Sequence, residues 1–296
     1  MDNTKTFIEA PELDFQYSLK LRTHSKFALG DCLFTYYKYK MKLSDEGDPF
    51  DQFVIEVQGN YSKREADKKI KEAVNFLIYL TDVPFEITVK NRKFENMEQS
   101  GTSEIEVSKL KSIRLLNERY NGISGKQKEM LLNMLSLYAM ATKYNILYCD
   151  VEEGFFLYFR ILERLVEAEY KKSAHEEKKS NYMKKSIYEN EYGIKLPQYK
   201  IDEYWSRLEK NWFKEIFGDI YGKIAWFCKK NGISYDAEIL GKAVQVRNAL
   251  AHGRGVNREQ FDKAYKLVWE LARISIGIKF FGTEKTKFIG VNVREY

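Results

Sequence analysis

Apolar and polar residues alternate between positions 15 and 23: Phe15, Tyr17, Leu19 and Leu21 fall on one side, Gln16, Ser18, Lys20 and Arg22 on the other. A period of two predicts a half-buried strand. The same period returns at Tyr37, Tyr39, Met41 and Leu43, set against Tyr36, Lys38, Lys40 and Lys42. It returns again at Phe53, Ile55 and Val57, after a turn at Asp45-Glu46-Gly47-Asp48-Pro49. Then the period changes. Ala66, Ile70, Ala73, Val74 and Leu77 recur at helical spacing, and Ser62 with Glu65 offers a capping box in front of them. Phe85, Ile87 and Val89 give one more short strand. The pattern predicts a small antiparallel sheet with one helix on it.

Residues 91–104 are polar and lose periodicity, which places a domain boundary there. Ile105 to Tyr120 fits a strand, a helix or an extended connection. From Lys126 the helical period takes over. Leu131, Leu135, Tyr138, Ala139 and Thr142 mark one helix, and Phe155, Phe159, Leu162, Leu165 and Val166 mark the next, which starts near Glu152. Trp205, Leu208, Trp212, Phe213, Ile216 and Phe217 line another face, continued after Gly218 by Ile220, Ile224, Phe227 and Cys228. A helix from about Asp236 and a last one through Phe261, Ala264, Leu267, Val268, Leu271 and Ile274 complete the set. Ile289, Val291 and Val293 alternate in the tail and predict a strand. The expected fold class is α+β, a small N-terminal antiparallel sheet with one helix followed by an all-α bundle. Its segments are 1–97, a connector 98–125, a helical domain 126–280 and a tail 281–296.

Composition narrows the classes. An apolar fraction of 44% supports a real core. The net charge of +6 is compatible with a nucleic-acid partner without requiring one. Cys32, Cys149 and Cys228 are too few and too far apart for a disulfide framework or a zinc spacing, so three buried thiols in a reducing compartment are expected. Apolar runs are too short for a signal peptide or a membrane span, which predicts a cytoplasmic chain with no membrane partner. No phosphate-cradling glycine loop, His-Glu-x-x-His or Gly-x-Ser-x-Gly occurs, and no cofactor or metal is expected. Lys38, Lys40 and Lys42 with Tyr36 suggest a nucleic-acid platform, but the solvent face of a sheet explains them better. The charge run from Lys171 to Lys185, with His175 inside it, mixes signs and reads as solvated surface; His24 lies in a turn.

One stretch concentrates chemistry: Val246-Arg247-Asn248-Ala249-Leu250-Ala251-His252-Gly253. Helical spacing before it and Gly253 and Gly255 after it place a helix end at His252. Asn257 with Gln260 offers a start for the next helix. Asn248 and His252, four apart, share a face, with Arg247 at its margin. An imidazole to move a proton, a guanidinium to hold phosphorane charge and an amide to orient either are the parts for metal-free RNA cleavage by the 2′-hydroxyl. The competing reading is a capping histidine and an ordinary surface arginine. Arg160 and Glu163, three apart on a predicted helix, read as a surface ion pair, with a place beside the Arg-His stretch as the alternative.

Arg247-Asn248-Ala249-Leu250-Ala251-His252 resembles the Arg-x4–6-His signature of the HEPN (higher eukaryotes and prokaryotes nucleotide-binding) superfamily, in which a polar residue often follows the arginine. Phe156 to Glu163 resembles a helix of several of its subfamilies. The resemblance covers the C-terminal half and implies a helical bundle that dimerises, apposes two motifs and cuts RNA. It implies Arg247, Asn248 and His252 as catalytic residues, in a defence or toxin-like response. Arg254, beside two glycines, reads either as a further RNA contact or as plain solvent-exposed surface. Some members carry a tyrosine two residues after the histidine, the target of adenylylation; here that position is Arg254, which speaks against such regulation. The alternative is a non-catalytic HEPN domain that binds RNA, a nucleotide or a protein partner. The N-terminal domain is then the expected place for a regulatory ligand or protein.

Overall fold

The computed structural model describes residues 5–9, 27–39, 51–88, 97–98, 107–170 and 219–283. The fold is α+β. Six strands, β1 (Lys5–Glu9), β2 (Phe27–Leu29), β3 (Cys32–Tyr39), β4 (Asp51–Val57), β5 (Glu86–Thr88) and β6 (Met97–Glu98), form one antiparallel sheet. Among the described residues the helices are α1 (Lys63–Thr81), α2 (Val107–Gly122), α3 (Gly125–Ile146), α4 (Val151–Glu169), α5 (Ile220–Lys230), α6 (Ala237–Ala251) and α7 (Arg258–Ile276), followed by a π-helical turn at Gly277–Phe281. None of these is long and apolar enough to cross a membrane. Packing divides the described residues into two compact units. One holds those up to Leu157 and from Ile276 on; the other holds Tyr158 to Ser275. The segments drawn from the pattern cut the chain elsewhere, because a change of period marks a change of element type, whereas packing marks which elements share a core.

In the first unit the sheet order is β2-β3-β4-β1-β5. β4 pairs along one edge of β3, while β2 and then β6 pair along the other. Register puts Phe34 opposite both Phe27 and Ile55, and all three are buried. The rings of Phe27 and Phe34 stack at 5.2 Å. This is the apolar face that α1 packs on.

α1 starts where the sequence places it. Ser62 Oγ accepts from the Glu65 N–H, and Glu65 Oε2 accepts from the Ser62 N–H at 3.0 Å. Ala66, Ile70, Ala73, Val74 and Leu77 are buried as predicted, but every residue from Phe76 to Thr81 is buried too. Phe76 stacks on Tyr120 of α2 at 4.8 Å and on Phe281 at 5.5 Å, and Tyr79 meets Tyr138 of α3 edge-on. The helix ends on Asp82, whose φ of 58° lies in the left-handed region; Asp82 Oδ1 accepts from the Tyr138 hydroxyl at 2.5 Å. Arg119 donates to the Phe281 carbonyl, tying α2 to the π-helical turn.

In the second unit Phe159, Leu162, Leu165 and Val166 of α4 are buried, as are Ile224, Phe227 and Cys228 of α5 and Phe261, Ala264, Val268 and Leu271 of α7. Leu267 and Ile274, assigned to the same α7 face, are only half-buried.

Several expectations change. Of the stretch left open between Ile105 and Tyr120, the described part from Val107 on is the helix α2. β3 begins five residues before the predicted alternation at Tyr37, because Cys32 and Phe34 already face inward. Ile87 is exposed although the pattern counts it apolar. β1, β2 and β6 carry no recognisable alternation of their own and exist through their partners. The strands predicted at 15–23 and 289–293, the turn at 45–49, the aromatic stripe at 205–217, the charge run with His175, and His24 lie outside the described residues.

Cys32 and Cys228 are buried, and burial pushes each thiol up to about 12. Cys149 departs from the expectation of three buried thiols: it is exposed, between α3 and α4, with a φ of 54°. At pH 8 an aromatic disulfide reagent should therefore take one thiol per native chain rapidly, and the other two only after denaturation. Two or more fast thiols in the native protein would contradict this burial.

Candidate functional site

α6 delivers the Arg-His stretch. Asp236 caps it by accepting the Ile239 N–H at 2.9 Å, and Leu240, Ala243 and Val246 bury one face. Arg247, next to Val246, therefore emerges at the margin of that face and is half-buried, while Asn248 is exposed.

The helix closes on His252, whose N–H bonds to the carbonyls of Asn248 (3.2 Å) and Ala249 (3.1 Å). Gly253 follows with a φ of 65°. Its N–H donates to Leu250 and the Arg254 N–H donates to Ala249, each at 2.9 Å. These crossed bonds are a Schellman closure, which satisfies carbonyls that a helix end leaves open. His252 thus caps through its backbone, and its exposed imidazole is not consumed by the cap. Arg254 is exposed as well. Asn257 Oδ1 accepts from the Gln260 N–H at 3.2 Å and opens α7.

Arg247 is held from two sides. Nη2 meets Glu163 Oε1 of α4 at 2.9 Å, and Nη1 meets Asn248 Oδ1 at 3.2 Å. A guanidinium has five N–H donors, so most of its donor array stays open. The side chains of Arg247 and Glu163 are 36% and 28% exposed. An ion pair at that exposure contributes under about 1 kcal/mol, so its main effect is to fix where the guanidinium points rather than to hold the fold.

Glu163 was paired in the sequence with Arg160. Arg160 is exposed, and Glu163 turns to Arg247 instead. Of the two readings of that pair, the place beside the Arg-His stretch is the one Glu163 takes, across 84 positions of sequence. Arg247, Asn248, His252 and Arg254 all sit in the last turn of α6 and the corner after it, and Glu163 of α4 joins Arg247 there.

No family model matches the chain, and no curated protein and no solved structure matches it. Fold and site define the class: an α+β protein with a helix that ends on Arg-Asn-x-x-x-His, the arginine steadied by a carboxylate from another helix.

Gly253→Ala should lower stability by roughly 1–2 kcal/mol, because an L side chain strains the left-handed region. Gly255→Ala, where an added Cβ meets nothing within 4 Å, should stay within about 0.5 kcal/mol of wild type. Urea unfolding midpoints read both; equal effects would remove the case for a backbone-determined corner.

Proposed function

We propose that the protein is a metal-independent endoribonuclease of HEPN type acting in a defence or toxin-like response. What carries the reading is the exposed His252 imidazole one turn beyond a guanidinium already oriented by Glu163 and Asn248. In the proposed reaction the ribose 2′-oxygen attacks the adjacent phosphorus. The O2′–P bond forms and the P–O5′ bond breaks. His252 takes the 2′-hydroxyl proton, the open N–H groups of Arg247 meet the charge developing on the phosphoryl oxygens, and the 5′-oxygen leaves with a proton. The products are a 2′,3′-cyclic phosphate and a 5′-hydroxyl. Asn248 holds one edge of the guanidinium, and Glu163 is a positioning residue behind it. Exposed Arg254 adds a phosphate contact.

Purified protein should cut single-stranded RNA in EDTA and leave cyclic phosphate ends. His252→Ala should lose about 10²–10⁴-fold in rate. Glu163→Ala should lower kcat about tenfold with KM and unfolding midpoint unchanged, and Glu163→Gln should restore part of the loss. A strict metal requirement, or full activity in His252→Ala, sinks the proposal. RNA binding that depends on Arg247 without any cleavage would instead establish the non-catalytic alternative.

One motif supplies one imidazole, whereas deprotonating O2′ and protonating O5′ want two groups or one used twice. A two-fold homodimer apposing the ends of two α6 helices supplies both, with the same surface used on each subunit. Sedimentation at micromolar concentration should give a dimer, and mixing Arg247→Ala with His252→Ala chains should recover part of the activity. A monomer that cuts RNA at full rate would exclude the shared site.

A further inference from the structure

A cleft of about 460 Å³ lies in the first unit, remote in sequence from the Arg-His stretch. That volume falls in the range of about 300–1,000 Å³ usual for small-molecule sites. The turn between β2 and β3, α1, the end of α2 and the start of α3 bring Asp31, Lys69, Glu72, Tyr120 and Lys128 onto its walls.

The charges there are unevenly matched. Lys69 Nζ and Asp31 Oδ2 pair at 2.8 Å. Among the described residues the one ion pair of Glu72 is with Lys68, at 3.9 Å, although its side chain is 17% exposed. Lys128 Nζ donates one bond, to the Tyr120 carbonyl at 2.6 Å, and lies 3.0 Å from the centre of the Tyr120 ring. An ammonium has three donors, so two have no acceptor among the described residues. Tyr120 is 4% exposed, and its hydroxyl makes no hydrogen bond to a described residue. Glu72 and Lys128 are half-buried on the cleft wall, so their spare hydrogen-bonding capacity faces the cleft and is open to a polar ligand.

The protonation states fit such a role. Burial holds the Lys128 ammonium down to about 8, against the pull of Glu72, so it stays mostly charged at neutral pH. Burial and the nearby carboxylates push the Tyr120 phenol above its ordinary range, so it remains a donor. A lone anion entering the cleft meets Asp31 and Glu72; a lone cation meets Lys69 and Lys128. A ligand carrying both charges meets a partner for each.

We propose that this cleft binds a small zwitterion of the α-amino-acid class, its carboxylate on Lys128 and the Tyr120 hydroxyl, its ammonium on Glu72. The proposal is independent of the ribonuclease reading and stands or falls without it.

The test titrates the full chain with the twenty common free α-amino acids at up to 5 mM, by calorimetry and by thermal unfolding. At least one should bind with a Tm rise of about 2 °C or more. For that amino acid, the N-acetyl form lacks the ammonium and the carboxamide lacks the carboxylate. Each should bind at least tenfold more weakly. Glu72→Gln and Lys128→Met should each lose the response, and Lys68→Met should keep it. The proposal is overturned if no amino acid binds at 5 mM or if the acetyl and amide forms bind as well as the parent. It is overturned equally if folded Glu72→Gln and Lys128→Met chains, checked by circular dichroism, still respond.

Discussion

A helix buried on one side needs one neighbour; a helix buried all round needs neighbours on every side. The second half of α1 is of the second kind. From Phe76 to Thr81 no residue faces solvent, and the first unit is arranged to supply the cover. The sheet lies against α1, α3 packs along it, and Tyr120 and Phe281 bring α2 and the π-helical turn onto Phe76. Two stacked rings and an edge-on Tyr79–Tyr138 contact concentrate large apolar area at one point. Two side chains at the end of α1 make local hydrogen bonds. Thr81 returns its hydroxyl to the Leu77 carbonyl and accepts from the Val83 N–H, while Asp82 receives Tyr138. The Asp82 N–H also bonds to the Ile78 carbonyl at 2.7 Å, which closes the last turn of the helix.

The same helix also presents a polar flank. Lys69 and Glu72 lie one turn apart on α1, close to the turn at Asp31 and to Lys128. Ala73, next to Glu72, is already buried. The cleft is thus the seam where the apolar contact of α1 gives way to charge. Tyr120 belongs to both sides: its ring stacks on Phe76, and its carbonyl holds Lys128.

In the second unit the controlling event is a helix end. Backbone bonds to Leu250 and Ala249 close α6, so neither the His252 imidazole nor the Asn248 amide is spent on capping. Asn248 instead turns its oxygen to Arg247, which Glu163 grips from α4. Because the ion pair contributes so little to stability at its exposure, the carboxylate can be altered without endangering the fold.

Local chemistry was legible in the sequence. The capping box at Ser62, the apolar faces of α1, α3 and α4, the stop at Gly253 and the start at Asn257 depend on residues within one or two turns of each other. So did the shared face of Asn248 and His252, since a helix places residues three and four positions apart side by side. What needed the tertiary structure was everything that joins distant positions. β2 is three residues long and forms against β3; α2 lacks a strong period and is ordered by what it packs on. Glu163 reaches Arg247 across 84 positions, and the cleft gathers residues from 30 to 128. Propensity and period are short-range properties of the chain, whereas a partner for a half-buried charge is chosen by whichever side chain the folded backbone brings within about 3 Å.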